Sequence, residues 1–312
     1  MLVSDEMDYY YEMVLLSLYS LRLYHPKDIV EMVMDETTYQ RLVRKKAPVL
    51  DDVTPIVVSI PSDYTKMQRS RYLKTRLRQI VKGDFLFLDC DTLVCDHLDD
   101  IDKTEADIAM VANEHDGRLI SVNYDRCRQA GFNQIENEIY FNSGVIYSKD
   151  NKEARDLFEK WHSLWIESVK KGIFQDQPAL CQANFDSSHI IKRLELIWNC
   201  QLFFFSGIDM SDNVKVFHYF TDKDTILRGL LFKHIKETGT ISDSVANVAR
   251  YPLTSGYAVF SMNDSRAVNY IYSDLLDVYD RTPKLFNFLI SFSRIFVKPV
   301  VGLSKMKHRF HK

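Results

Sequence analysis

The chain has 312 residues, of which 46% are hydrophobic, 27% charged and 12% aromatic, with only 10 Gly and 8 Pro. This balance excludes a disordered, collagenous or multi-pass membrane protein and leaves one large or two small globular domains. The formal charge of −3 hides an asymmetry: residues 281–312 carry eight Lys or Arg and no Asp or Glu, which leaves −11 on the other 280 residues. A basic tail on an acidic body points to an anionic partner for the tail alone. The acidic body argues against a long phosphate-tracking surface, so no nucleic-acid partner is expected. The five cysteines form no CxxC pair. That fits a reducing compartment better than a disulfide framework or a zinc site. No signal peptide is expected, so the reading is cytoplasmic.

In chain order, a short apolar run, Leu2-Val3, precedes a helix over roughly Tyr9–Tyr24, which Asp5 can cap. That helix is apolar almost all round, as a buried helix is. Strands are expected at 29–34 and 53–60, followed by a helix over 64–81 that Gly83 stops. Phe85–Leu88 is wholly apolar, as in a strand buried on both faces of a parallel sheet. Further strands are expected at 107–112, 139–148, 190–197 and 214–219. An amphipathic helix at 153–169 turns Leu157, Trp161, Leu164 and Trp165 inward. Strand–helix–strand order gives an α/β fold with a parallel sheet. Residues after about 225 read as helices and loops. In 284–298 the polar residues Lys284, Asn287, Ser291, Arg294 and Lys298 form one narrow stripe. Such a face suits either a membrane interface rich in anionic headgroups or packing on the body.

The segment that carries chemistry is Phe85-Leu-Phe-Leu-Asp89-Cys90-Asp91-Thr92. Two carboxylates follow a buried strand by one and three residues. In an open α/β sheet, ligands bind at the carboxyl ends of strands. A turn there can aim both carboxylates at one hard cation, Mn²⁺ or Mg²⁺, bridging to substrate phosphate. Two surface aspartates in a turn are the alternative. Upstream lie seven basic residues without an acid: Lys66, Arg69, Arg71, Lys74, Arg76, Arg78 and Lys82. Those that face the strand ends would suit a diphosphate.

Over roughly residues 1–225 the chain resembles glycosyltransferase family 8, in particular its bacterial lipopolysaccharide glycosyltransferases. These are retaining enzymes with a nucleotide-diphospho-sugar transferase (GT-A) fold. Asp89-x-Asp91 is similar to the family's DxD motif, and Tyr140-Phe-Asn142-Ser143-Gly144-Val145 to its FN(S/A)G segment. Gln175-Asp176-Gln177, Trp198-Asn199 and Phe217-His218-Tyr219 resemble its later segments, in the family's order. The resemblance implies a GT-A catalytic domain over 1–225 with a mostly parallel central sheet flanked by helices, and a helical C-terminal extension over 226–312 with a basic amphipathic tail. It implies Asp89, Asp91 and His218 as ligands of Mn²⁺ or Mg²⁺, with Asp89 also near the ribose. Asn142, Asp176 and Gln177 would contact the donor sugar, and Asp5 and Tyr10 the nucleotide base. Arg71 or Lys74 would contact donor phosphate or sugar. After His218 the family has a glycine and a Lys-Pro-Trp; here Phe220-Thr221-Asp222-Lys223 follows, with Lys223 placed to stand for that lysine.

The implied reaction is transfer of a hexose, glucose or galactose, from a UDP-sugar to a glycan or a lipid-linked or lipopolysaccharide acceptor. Peripheral association with the inner face of the cytoplasmic membrane through 284–312 would serve such an acceptor; the same stripe packed on the body is the alternative. Two other readings stand beside that reaction. A haloacid-dehalogenase-like phosphatase would use Asp89 as nucleophile and Asp91 as general acid. A non-catalytic nucleotide-sugar-binding protein would share the fold alone.

Overall fold

The structure is a computed structural model, and it describes Val3 and residues 9–113, 121–133, 135, 138–201 and 215–218. Asp5, Lys223, the segment after His218 and the expected C-terminal extension lie outside the described residues.

Helix α1 (Tyr9–Tyr24) occupies the expected span. Its Met13 and Leu16 are buried, and Ser20 accepts a hydrogen bond from the backbone N–H of Val94. Strand β1 (Glu31–Asp35) pairs in parallel with β2 (Thr54–Val58), Glu31 opposite Thr54. Between them runs α2 (Glu36–Lys45), which the sequence reading did not include. Asp35 caps it by accepting from Thr38 N at 2.7 Å, and Lys46 closes it in the left-handed region at φ 49°. The helix expected over 64–81 is two helices, α3 (Lys66–Thr75) and α4 (Leu77–Ile80). Thr75 supplies the reason for the break. Its hydroxyl donates back to Arg71 O at 2.9 Å, a contact that bends helices.

The central sheet has the order β3 (Phe85–Leu88), β6 (Phe141–Ser148), β5 (Ile108–Ala112), β7 (Ile191–Arg193). β6 is antiparallel to β3 and to β5, while β5 and β7 are parallel. Three of the four strands therefore share one direction and β6 is reversed. A third sheet is formed by β4 (Thr92–Val94), β9 (Val216–His218) and β8 (Cys200–Gln201). The strand expected over 190–197 is shorter, and its second half is a 3₁₀ turn at Leu196–Trp198.

The all-apolar sequence of β5, and the Val145–Tyr147 run of β6, follow from burial on both faces. Ile108, Met110 and Ile146 join one core with α5 (Ser121–Gln129), α6 (Lys152–Lys170) and α7 (Gln177–Asp186). Ala109, Val111, Val145 and Tyr147 join the other, with Trp198 and Val216. Asn151 caps α6 by accepting from Ala154 N at 2.9 Å. Trp161 and Trp165 are fully buried and Trp198 nearly so, which makes all three core residues. Between β1 and β3, which do not pair among the described residues, lies a half-open pocket of about 550 Å³ lined by both apolar and charged side chains, with α1 along one side. No described helix is long and apolar enough to cross a membrane.

Candidate active site

The reversal of β6 builds the site. The ends of β3 and β5 and the beginning of β6 fall side by side, with Leu88 opposite Val145 and Ala112 opposite Phe141. Asp89 continues from β3, its backbone N–H donating to Gly144 O at 2.8 Å. Asn113 follows β5, and Asn142, Ser143 and Gly144 open β6. The chain turns after Asp89, held by the Thr92 hydroxyl donating to Asp89 O at 2.7 Å. The turn leads into β4, on which β9 pairs with Thr92 opposite His218. That pairing carries His218 across 127 residues of sequence to the aspartate pair. Ligand atoms of Asp89, Asp91 and His218 lie within 4.8 Å of one another.

The electrostatics fit a cation there. His218 Nε2 is 3.4 Å from Asp91 Oδ1. Burial pushes the Asp91 carboxyl up, but the imidazole beside it, through charge and hydrogen bond, and then Lys74 outweigh this. The net result holds Asp91 below the ordinary carboxylate range. Two carboxylates and one imidazole suit a divalent ion that accepts both oxygen and nitrogen.

Beneath this group sits Lys74, 1% exposed, with Nζ donating to Asp89 Oδ2 at 2.6 Å and to Ser143 O at 3.2 Å. Lys74 is thus locked to the aspartate. Arg71, one helical turn earlier, is partly exposed and pairs with Asp176 Oδ1 at 2.9 Å. Its Nε–H is not aligned for a hydrogen bond there. Of the two residues expected at the donor, Arg71 is the one that borders open space. Burial lowers the affinity of Arg71 for its proton, but Asp176, Asp89 and Asp91 more than restore it, and the guanidinium stays charged.

Asp176 precedes α7 and is 3% exposed. Ser143 Oγ donates to its Oδ2 at 2.7 Å, and its backbone O accepts from Trp161 Nε1 at 2.9 Å. Burial raises its carboxyl, but Arg71 first, then Lys74 and Ser143, hold it below the ordinary range. Gln177 donates through Nε2 to Phe141 O at 2.9 Å and to Asn113 Oδ1 at 3.2 Å. Asn142 is buried, with Oδ1 accepting from Gly144 N and from Asn199 Nδ2. Asn199 in turn contacts His218. Tyr10, in the first turn of α1, is exposed, and its phenol is among the groups that Arg71 feels.

Asn113, Ser143 and Asn199 were given no role in the sequence reading. Ser143 and Asn199 stand inside quoted motifs. Asn113 is the first residue after a strand end, which is the signal that could have found it. A second His/Asp group, His25, His97 and Asp99, also brings ligand atoms together. Its His25 accepts from Leu98 N at 2.8 Å through Nε2 and pairs with Asp28 at 2.9 Å through Nδ1, so both nitrogens are engaged.

Residues 15–223, two thirds of the chain, match Glycosyl transferase family 8, and the chain belongs to that family. It is a glycosyltransferase with a mixed α/β, GT-A fold. An apo structure of the glycosyltransferase GlyE from Streptococcus pneumoniae TIGR4 aligns at 15% identity with a TM-score of 0.50, over 79% of this chain and 61% of that one. The chain thus spans about three fifths of GlyE. Apo mouse xyloside xylosyltransferase 1 aligns at 14% identity with a TM-score of 0.47, over 68% of this chain and 92% of that one. No curated protein matches the sequence at a significant level. The family membership sets aside the phosphatase reading of Asp89 and Asp91.

Proposed function

We propose that this glycosyltransferase moves a hexose from a UDP-sugar to an acceptor hydroxyl with retention of configuration, and that a divalent cation held by Asp89, Asp91 and His218 is required. The observation that carries this reading is the convergence of those three side chains, two from the turn between β3 and β4 and one from the end of β9, within 4.8 Å. Mn²⁺ or Mg²⁺ at these ligands would act as a Lewis acid on the leaving diphosphate. The protein's own part is to fix charge in advance. Asp89 is held by Lys74, and Asp91 is kept ionised beside His218. Preorganised groups of this kind stabilise developing charge without reorganising during reaction.

Arg71 is the cation for donor phosphate or sugar, because it borders the cleft while Lys74 is tied below. Asp176 and Gln177 border the reacting sugar, with Asn142 behind them. Gln177 has its amide N–H groups directed to Asn113 and Phe141, which favours its carbonyl oxygen as the atom offered to the sugar. Tyr10 and Asp5 belong to the base end, and Lys223 to closure over the diphosphate. A catalytic domain over 1–225 carries this chemistry. A helical tail over 226–312 meets an anionic membrane surface and brings the enzyme to a lipid-linked or lipopolysaccharide acceptor.

Calorimetry of UDP binding, with Mn²⁺ and with EDTA, tests the reading. Binding that needs the metal and vanishes in Asp91→Asn is the expected result. Binding of UDP that ignores both the metal and the substitution would overturn the cation assignment. Absence of binding under every condition would remove UDP as the carrier. Binding without transfer or hydrolysis of any donor would favour the non-catalytic reading.

A further inference from the structure

A chain of buried polar groups runs from the cation ligands into β6, and a backbone group fixes its direction. Amide nitrogen and oxygen, and the two protonation sites of an imidazole, look alike by position, so their roles follow from their neighbours. A main-chain N–H is unambiguous, because it can only donate. Gly144 N donates to Asn142 Oδ1 at 2.8 Å. With that oxygen fixed, Asn142 Nδ2 is the group that faces Asn113 Oδ1, at 3.2 Å. The atom of Asn199 lying 3.0 Å from the Asn142 oxygen must then be the donor Nδ2. Asn199 Oδ1 is left facing His218 Nδ1, also at 3.0 Å, and an acceptor there requires a proton on Nδ1. A neutral imidazole carries one proton. In a neutral ring the lone pair is therefore on Nε2, the nitrogen that faces Asp91 at 3.4 Å, while a doubly protonated ring donates to Asp91 through Nε2–H and keeps the same Nδ1–H on Asn199. The opposite assignment would set Asn199 Oδ1 against Asn142 Oδ1 with no hydrogen between two buried acceptors. Asn199 is 0% exposed and His218 3%, so water is not at hand to relieve that conflict.

We propose that Asn199 is the positioning residue of the cation site: it fixes His218 as the Nδ1–H tautomer, with the Nε2 lone pair directed to the Asp91 side, and takes its own orientation from the Gly144 amide through Asn142. The functional consequence rests on the cation reading given above; the tautomer rests on hydrogen bonding alone. A ligand imidazole whose far nitrogen already donates to a carbonyl-type oxygen needs no tautomer change before it binds. The FN(S/A)G segment thereby serves the cation site from a distance, with Asn142 acting through Asn199.

The test is a two-bond ¹H–¹⁵N correlation spectrum of metal-free, ¹⁵N-histidine-labelled full-length protein at mildly alkaline pH. The His218 signals are assigned by their loss in His218→Gln. The expected result is a protonated Nδ1 and an imine-type Nε2, retained in Asn199→Asp, which keeps the acceptor. In Asn199→Leu the ring is expected to lose the Nδ1–H preference. Its Mn²⁺ affinity, read by electron paramagnetic resonance with the metal alone, is expected to fall about 10- to 100-fold. An Nε2–H ring in the wild-type protein would overturn the proposal. So would a folded Asn199→Leu variant that binds Mn²⁺ as tightly as wild type. If that variant does not fold, the wild-type spectrum decides. Neither readout involves UDP or turnover, so failure of the donor reading is told apart from failure of this one.

Discussion

The imidazole of His218 occupies the space beside Gly144: a Cβ at position 144 would stand 2.2 Å from Cε1 and 2.6 Å from Nδ1 of the ring. The ring has nowhere to retreat, being 3% exposed and engaged with Asn199. Gly144→Ala should therefore leave the sheet intact and displace His218. The expected outcome is Mn²⁺ binding weakened at least about tenfold, since supporting contacts of metal ligands typically carry that much. Calorimetry with Mn²⁺, alongside an unchanged far-ultraviolet circular dichroism spectrum, checks it.

Asp91→Asn removes the charge that faces His218 while keeping side-chain volume. Turnover should fall by about 10²–10³, the usual effect of losing one preorganised stabiliser of developing charge. Added EDTA should depress the wild-type rate toward that of the variant and change the variant little. Equal donor-hydrolysis or transfer rates in the two proteins would remove Asp91 from the machinery.

Arg71 and Asp176 form a charge pair that is half buried on one side and almost wholly on the other. Arg71→Met strands the Asp176 carboxylate with Ser143 and the field of Lys74. Stability should drop by about 1–3 kcal/mol, the cost of leaving a buried polar group short of a partner. Adding Asp176→Asn should recover part of that loss without recovering turnover. Urea unfolding and donor kinetics on the two single variants and the double variant read both halves.

His162 gives a pH signature away from the site. Burial first, and then Arg76, push its pKa down from 6.5 to about 4, and Thr75 Oγ1 sits 2.8 Å from its Nδ1. Between those values the unfolded chain binds the proton and the native chain does not. The contribution of the neutral ring to stability is therefore whole above pH 6.5 and drains away as pH falls toward 4. His162→Gln should flatten the melting temperature over that window. An equally steep pH dependence in the variant would assign it to other groups.

How far the sequence reaches is visible in particular elements. Tyr9–Tyr24 and Phe85–Leu88 occupy the spans expected of them, because apolar runs of those lengths mark a helix and a strand, but the strand pairs antiparallel with β6 and only Phe87 of its four residues is buried. Helix α2 carries a signal that the expectation above passed over: Tyr39, Leu42 and Val43 stand at helical spacing behind Asp35, a capping residue, and basic residues close the last turn. Helix α7 is hidden by its burial. Most of its residues, from Pro178 to Asn184, are buried, and a helix covered nearly all round has no stripe. Strands of two or three residues, β4 and β8, fall below any period. The break at Arg76 depends on where one threonine hydroxyl points.

The sequence by itself determined the class of chemistry. Two aspartates behind a buried strand, an Asn-Ser-Gly run and a late histidine are local patterns, and a pattern of residue types can be read without knowing what lies across from it. Only the tertiary structure decided which atoms meet. The order of strands places the start of β6 beside the end of β3, and β9 on β4 brings His218 to Asp91. Lys74 and Arg71, three residues apart on one helix and indistinguishable as charges, part company because one faces the core and the other the cleft. The chain of amides from Gly144 to His218 runs from the start of β6 through the turn before β8 to the end of β9. Its direction follows from distances of about 3 Å between residues far apart in sequence, which no local pattern encodes.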